Sequence, residues 1–244
     1  MWLNFNLKTL KSSKRYLAFA LTFLMPIYTN FELLAEQNKE KIEVSEHIKN
    51  KEDAKKEIDR IVKLTENAIK NKDYKLAIKS LKKIADIEKK FFGINHPDLA
   101  DTYNEIAKTY LIDNNYNQAQ IYFLQEISIR EITNGKENKL LAKKYINLGQ
   151  IYYTLDSLDK SEEAFNLSLK NLKKYNYEDN EIKSLKSEIF YWLGQCQTRR
   201  GLHVKAREFY FKALAIEKTM KENLSFIATL YNWIGDTNLK ENQF

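Results

Sequence analysis

The 244-residue chain contains one cysteine, two prolines and six glycines, and each scarcity closes off a group of structures. A single thiol, Cys196, forms no internal disulfide and supplies no cysteine-based zinc site. No cysteine lies near the N-terminus to carry a lipid. So few prolines and glycines do not suffice for the turns of a β-sandwich, for a Gly-rich phosphate loop or for a collagen-like repeat. A one-signed charge stripe is also missing. The net charge of +7 comes from 40 Lys and Arg against 33 Asp and Glu. Residues 1–35 hold +3 of it, from Lys8, Lys11, Lys14 and Arg15 against Glu32, and the other 209 residues hold only +4. That is not the concentrated basic face that phosphate backbones require, so no nucleic-acid partner is expected. What is present is a globular balance of 43% hydrophobic and 30% charged residues, enough to form a core, and an all-α fold is the default.

Residues 1–15 are basic with no acidic residue, and Tyr16 to Tyr28 is an apolar run interrupted only by Thr22 and Pro26. A membrane-spanning helix needs about 18 to 20 apolar residues, whereas the apolar region of a signal peptide needs about 7 to 15. Residues 1–35 therefore read as a signal peptide or N-terminal anchor. Ala35 is a small residue at a possible cleavage site, although Leu33 is bulky for the position two before it. An uncleaved anchor and an ordinary packed helix are the other readings of the same run. Residues 36–56 are dense in both charge signs and read as a charged linker.

The rest of the chain, 57–244, is self-similar. Five small or tight residues, Thr65, Ala107, Gly149, Gly194 and Gly235, follow one another at spacings of 42, 42, 45 and 41. Twelve residues after the first four comes a second small residue (Ala77, Ala119, Ser161, Ala206), and four later a large one (Leu81, Phe123, Phe165, Tyr210). Tyr103, Ile106, Ala107 and Tyr110 recur at the spacing of one helix face. Each unit is thus expected to be a pair of amphipathic helices, its small residues setting a close approach. His96-Pro97 marks a helix start. The turns fall at Lys72-Asp73-Tyr74, Asn114-Asn115-Tyr116, Asp156-Ser157-Leu158 and Gly201-Leu202-His203. The third unit carries three extra residues within 171–187, predicting a longer connection or a longer helix. In the fifth unit Tyr231, Trp233 and Ile234 leave an apolar helix. It is read as a cap with an exposed apolar edge, or as a helix continued by a partner or by further chain.

Phe190, Leu193 and Gly194, followed by Ala206, Tyr210, Ala213 and Leu214, resemble the tetratricopeptide repeat. The 42-residue period and the stretch HPDLADTYNEIAKTY are similar to the longer variety found in kinesin light chains and many bacterial proteins. The resemblance covers about residues 57–239. It implies a right-handed α-solenoid of antiparallel helix pairs, about four pairs plus a C-terminal helix.

Chemistry that would make an enzyme is not apparent in the sequence. His47, His96 and His203 fall in the linker, at a helix start and at a turn. Cys196 stands two residues after Gly194 and reads as a small buried side chain. Glu162-Glu163 reads as solvated surface. No nucleotide loop, metal-ligand spacing or cofactor motif occurs. The expectation is no enzyme, no metal and no cofactor.

In proteins of the resembling family the first helices line a concave surface that holds a protein or peptide segment. On this sequence those positions are Asn104 and Lys108; Lys143, Ile146, Asn147, Gln150 and Tyr153; Tyr191, Trp192, Gln195 and Arg199; and Asn232 and Asp236. The Lys and Asn arrangement by which some members clamp a C-terminal carboxylate is absent. The function implied is a non-catalytic scaffold for protein partners, exported to the periplasm, envelope or exterior. A tethered envelope assembly factor, anchored through residues 16–28, and a cytoplasmic peptide-sensing regulator are the alternatives.

Overall fold

A computed structural model describes residues 48–135, 138–176, 178–220 and 223–241. The histidine at 47 and the apolar run at 16–28 lie outside them. Among the described residues the chain forms nine α-helices and no strand: α1 Lys51–Lys70, α2 Tyr74–Phe91, α3 Pro97–Ile112, α4 Tyr116–Asn134, α5 Lys139–Thr154, α6 Leu158–Asn171, α7 Asn180–Arg199, α8 His203–Met220 and α9 Leu224–Glu241. They pair as α1 with α2, α3 with α4, α5 with α6 and α7 with α8, and α9 packs on α8. The result is a right-handed solenoid of antiparallel helix pairs.

Helix starts follow local chemistry. The Asn50 carboxamide oxygen accepts from the amides of Glu52 and Asp53 at 2.9 Å, so α1 begins at Lys51, inside the stretch read as linker. Asp73, Asn115, Asn138 and Asp179 cap α2, α4, α5 and α7 in the same way. His96 Nδ1 accepts from the Asp98 amide at 3.3 Å, with Pro97 in the first turn. The extra residues of the third unit lengthen both features. The connection before α7 runs over 172–179, and α7 has 20 residues against 16 in α3 and α5. Within that connection the Tyr175 hydroxyl accepts the Lys139 amide at 3.0 Å, satisfying a free N–H at the start of α5.

Each helix pair turns on one residue in the left-handed region: Lys72 (φ 60°), Asn114 (φ 57°), Asp156 (φ 58°) and Gly201 (φ 75°). Only the fourth turn uses glycine, the residue with no side-chain penalty there. Lys72→Gly is expected to raise stability by about 0.5–1 kcal/mol, read in urea unfolding. An unchanged or lowered midpoint would show that the turn is not strained.

The core sits between paired helices. Phe123, Phe165 and Tyr210 are almost wholly buried. A Cβ built on Gly149 would fall 2.6 Å from a Phe165 ring atom, and one on Gly194 would collide with the Tyr210 ring. Ser161 donates to the Gly149 carbonyl at 2.8 Å and lies 3.4 Å from the buried Cys196 sulfur. Burial pushes that thiol up, so Cys196 is a packing residue and no ready nucleophile.

Glu88, on α2, is buried, and one of its carboxylate oxygens has no partner among the described residues. Burial pushes its carboxyl up to about 7, with Asp98 and Asp101 adding to the effect and a hydrogen bond from Thr102 opposing it. In the unfolded chain the group titrates near its ordinary 4.5. Between these two values the folded state binds more protons than the unfolded one, so this residue makes stability fall as pH rises from about 4.5 to about 7. Glu88→Gln is therefore expected to stabilise at pH 8 by up to about 3 kcal/mol, with little difference at pH 4. Thermal melts of both proteins at the two pH values check this, and a gain that is equal at both would refute the titration account.

Candidate functional site

The first helices of successive units lie side by side and are tied by long-range polar contacts. Between α3 and α5 the Lys144 ammonium donates to the Asn104 carboxamide oxygen at 2.8 Å and pairs with Glu126 of α4 at 2.9 Å. Between α5 and α7, Lys139 and Lys143 both pair with Glu181, the latter at 2.6 Å. Gln150 donates to Glu188 at 2.9 Å, and Arg199 donates to the Tyr153 carbonyl at 2.6 Å. The Arg199 guanidinium also lies 3.7 Å from the Tyr153 ring centroid, a stacked cation–π contact. Trp192 meets Tyr153 and Tyr191 edge-on at 5.3 and 5.4 Å, and Tyr191 reaches Phe226 of α9 at 5.4 Å.

An open cavity of about 300 Å³ lies between α5 and α7, lined by Leu140, Lys143, Lys144, Ile146, Asn147, Leu185 and Glu188. Three groove positions expected from the sequence, Lys143, Ile146 and Asn147, line it together. Its chemistry is mixed: apolar walls, two ammonium groups, one carboxamide and one carboxylate. Hydrogen bonds from Lys139 and Lys143 hold the Glu181 carboxyl down at about 2. Burial pushes Glu188 up, against hydrogen bonds from Trp192 and Gln150. Burial likewise raises the phenols of Tyr153 and Tyr191, which stay neutral donors.

The remaining expected positions have different surroundings. Asn104 is buried and its oxygen is occupied by Lys144, so it braces α3 against α5 instead of facing a partner. Lys108 is exposed and pairs with Glu105 on its own helix at 2.7 Å. Gln195 is buried, and its amide nitrogen has no partner among the described residues. Asn232 is exposed, and Asp236 pairs with Lys240 at 2.8 Å. Sequence reasoning misses Lys144, Leu185 and Glu188. Lys143 lies one helical turn before Asn147, and the same step back from Trp192 reaches Glu188. That signal is present but falls in the part of α7 lengthened by the insertion. Among the described residues no group of three His, Cys, Asp or Glu side chains could hold a metal ion. No described helix is long and apolar enough to cross a membrane.

Stacked helix pairs presenting a side-chain-lined surface define a class, the helical repeat scaffolds that bind other proteins. The tetratricopeptide repeat family models match residues 66–132 and 142–171. Over these residues the chain carries tetratricopeptide repeats. It is similar in structure to the putative kinesin light chain of Podosopora anserina with nearly identical TPR-like repeats, at 16% identity and a TM-score of 0.59, covering 77% of this chain and 88% of that one. It is also similar to BtubC (BKLC) from P. vanneervenii, at 18% identity and a TM-score of 0.55, covering 65% of this chain. The chain spans 62% of the length of BtubC. MamA matches at 17% identity and a TM-score of 0.50, over 76% of this chain and 86% of that one. At these identities the likeness is one of fold. No curated protein matches by sequence.

Proposed function

We propose that the surface formed by α3, α5, α7 and α9 holds a segment of a protein partner, and that the chain acts as a non-catalytic scaffold in the cell envelope or outside the cell. The observation that carries the groove reading is the open cavity between α5 and α7, whose lining combines apolar walls with Lys143, Lys144, Asn147 and Glu188. Tyr191 and Arg199, about one and three helical turns beyond Glu188 along α7, the latter stacked on the Tyr153 ring, are of the residue types that dominate interface energies when a partner covers them. The lining holds both charge signs and no basic stripe, which favours a protein segment over nucleic acid. Tyr191→Ala combined with Arg199→Ala is expected to weaken partner affinity at least tenfold, read by titration calorimetry with the captured partner. Full affinity in the double variant would overturn the groove assignment.

Export rests on the basic residues 1–15 followed by the apolar run 16–28. Retention of that run as an anchor would make the chain a tethered assembly factor, and an intact chain in the cytoplasm would make it a peptide-sensing regulator. Intact mass together with cell fraction separates the three. Loss of about 35 residues from an extracytoplasmic form supports export, and an intact cytoplasmic chain contradicts it.

A further inference from the structure

Three first helices carry the same small–aromatic–small pattern: Ala100, Tyr103 and Ala107 in α3; Ala142, Tyr145 and Gly149 in α5; Ser187, Phe190 and Gly194 in α7. The second helix of the same unit meets this face at Tyr103, 5.7 Å from Tyr122, at Phe190, 6.4 Å from Phe209, and at the small residues of α5 and α7, whereas the Tyr145 hydroxyl donates to Glu131 of α4 in the preceding unit. Phe165 lies on Gly149 and Tyr210 on Gly194. Ser168 donates to the Ala142 carbonyl at 2.7 Å, and Ser187 donates to the Ala213 carbonyl at 3.3 Å. Helix α9 repeats the face with Ala228, Tyr231 and Gly235 while its other side, Leu230, Ile234 and Thr237, is buried. Here the face is open. Leu224 is 74% exposed, Tyr231 49% and Leu239 67%, and a Cβ on Gly235 would meet no atom within 4 Å.

We propose that this face of α9 docks on the same face of a second copy of the chain, the two helices running antiparallel about a two-fold axis. The stripe is self-complementary. Leu224, Ala228, Tyr231 and Gly235 follow at alternating steps of four and three, a continuous seam along one side of a helix. A two-fold axis that sets Ala228 opposite Tyr231 also sets Leu224 opposite Gly235, so every layer pairs a large side chain with a small one. That is the packing the chain uses inside its own units. A parallel arrangement would place Tyr231 on Tyr231 and leave a void between glycines. The two-fold makes the contact isologous and closed, so it ends at a dimer.

Charge points the same way. In a chain of net charge +7, residues 224–235 contain no charged side chain, and two copies meet there without repulsion. The first turn of α9 has no acidic residue to complement its positive end. The antiparallel pairing brings Asp236 of the second copy, together with its Lys240 partner, beside that end, where the carboxylate is favourably placed. Lys218 stacks over the Tyr231 ring at 5.3 Å and sits at the rim.

The surface is separate from the α5–α7 cavity, and the test separates the two readings. Sedimentation equilibrium of the full chain at tens of micromolar is expected to give twice 28.9 kDa, and Ala228→Arg with Tyr231→Lys is expected to halve it. Tyr191→Ala with Arg199→Ala stays dimeric. A mixture of Ala228→Cys and Tyr231→Cys chains should form an intermolecular disulfide faster than either chain alone, which keeps the test valid if the charged variant misfolds. A monomeric wild type, a dimer that survives the charged variant, or equal cross-linking in mixed and single samples would each overturn the proposal. A monomer that instead binds a peptide of the α8 sequence would overturn it in favour of a foreign helix.

Discussion

Gly194→Leu is expected to destabilise the array by about 3 kcal/mol, the upper end of what overpacking a core costs. A Cβ at this position already collides with the Tyr210 ring. The ring has nowhere to go, because Tyr210 is fully buried, its hydroxyl is 2.8 Å from the Thr198 hydroxyl, and Trp233 stacks on it at 6.3 Å. Even Gly149→Ala should be destabilising, since its Cβ would sit 2.6 Å from Phe165. Gly235→Ala has the opposite sign. Nothing lies within 4 Å of that Cβ, and alanine in a helix is favoured over glycine by about 0.5–1 kcal/mol. Urea unfolding of dilute protein reads all three variants. A stable Gly194→Leu protein, or the same sign at Gly149 and Gly235, would show that the register of the helix pairs is wrong.

Glu126→Ala is expected to cost about 3–5 kcal/mol, the range seen when one member of a buried ion network is removed. Glu126 has no exposed surface. Arg130 bonds it at 2.7 Å and Lys144 at 2.9 Å, and both cations are themselves mostly buried. Truncating the carboxylate leaves two desolvated positive charges, with Asp101 and Asn104 as their only remaining partners among these contacts. Replacing Glu126, Arg130 and Lys144 together by leucine and methionine should be close to neutral, because the desolvation cost disappears along with the attraction. A loss below about 1 kcal/mol for the single variant would show that water reaches the network. The same variant should loosen α5 against α3, since Lys144 also holds Asn104.

The repeat was legible because it rests on positions with hard steric demands. Gly149 and Gly194 each face an aromatic ring, and an aromatic residue 16 positions on is visible in any reading of the chain. The start of α1 was not legible. Its buried positions are Ala54, Glu57, Ile61, Thr65 and Ala68, correctly spaced for a helix face, but two of the five are polar and hide the hydrophobic period. Glu57 is tolerated there because hydrogen bonds from Arg60 and Lys83 hold its carboxyl down at about 2. The groove was legible in part. Helix phase alone placed Lys143, Ile146 and Asn147 on one surface. It could not reveal that Asn104 is engaged by Lys144, or that Arg199 is held by Tyr153, because those partners lie about 40 residues away on another helix and long side chains choose among several neighbours.

The most direct test of the scaffold reading is site-specific photo-cross-linking in the native cells. One chain carries a photoreactive side chain at Asn147, in the α5–α7 cavity, and a second carries it at Asn166, exposed on α6. The groove account predicts that position 147 captures a protein partner, that position 166 does not, and that Tyr191→Ala with Arg199→Ala abolishes the capture. Capture from position 166 alone, or capture at 147 that is indifferent to the double variant, would contradict it.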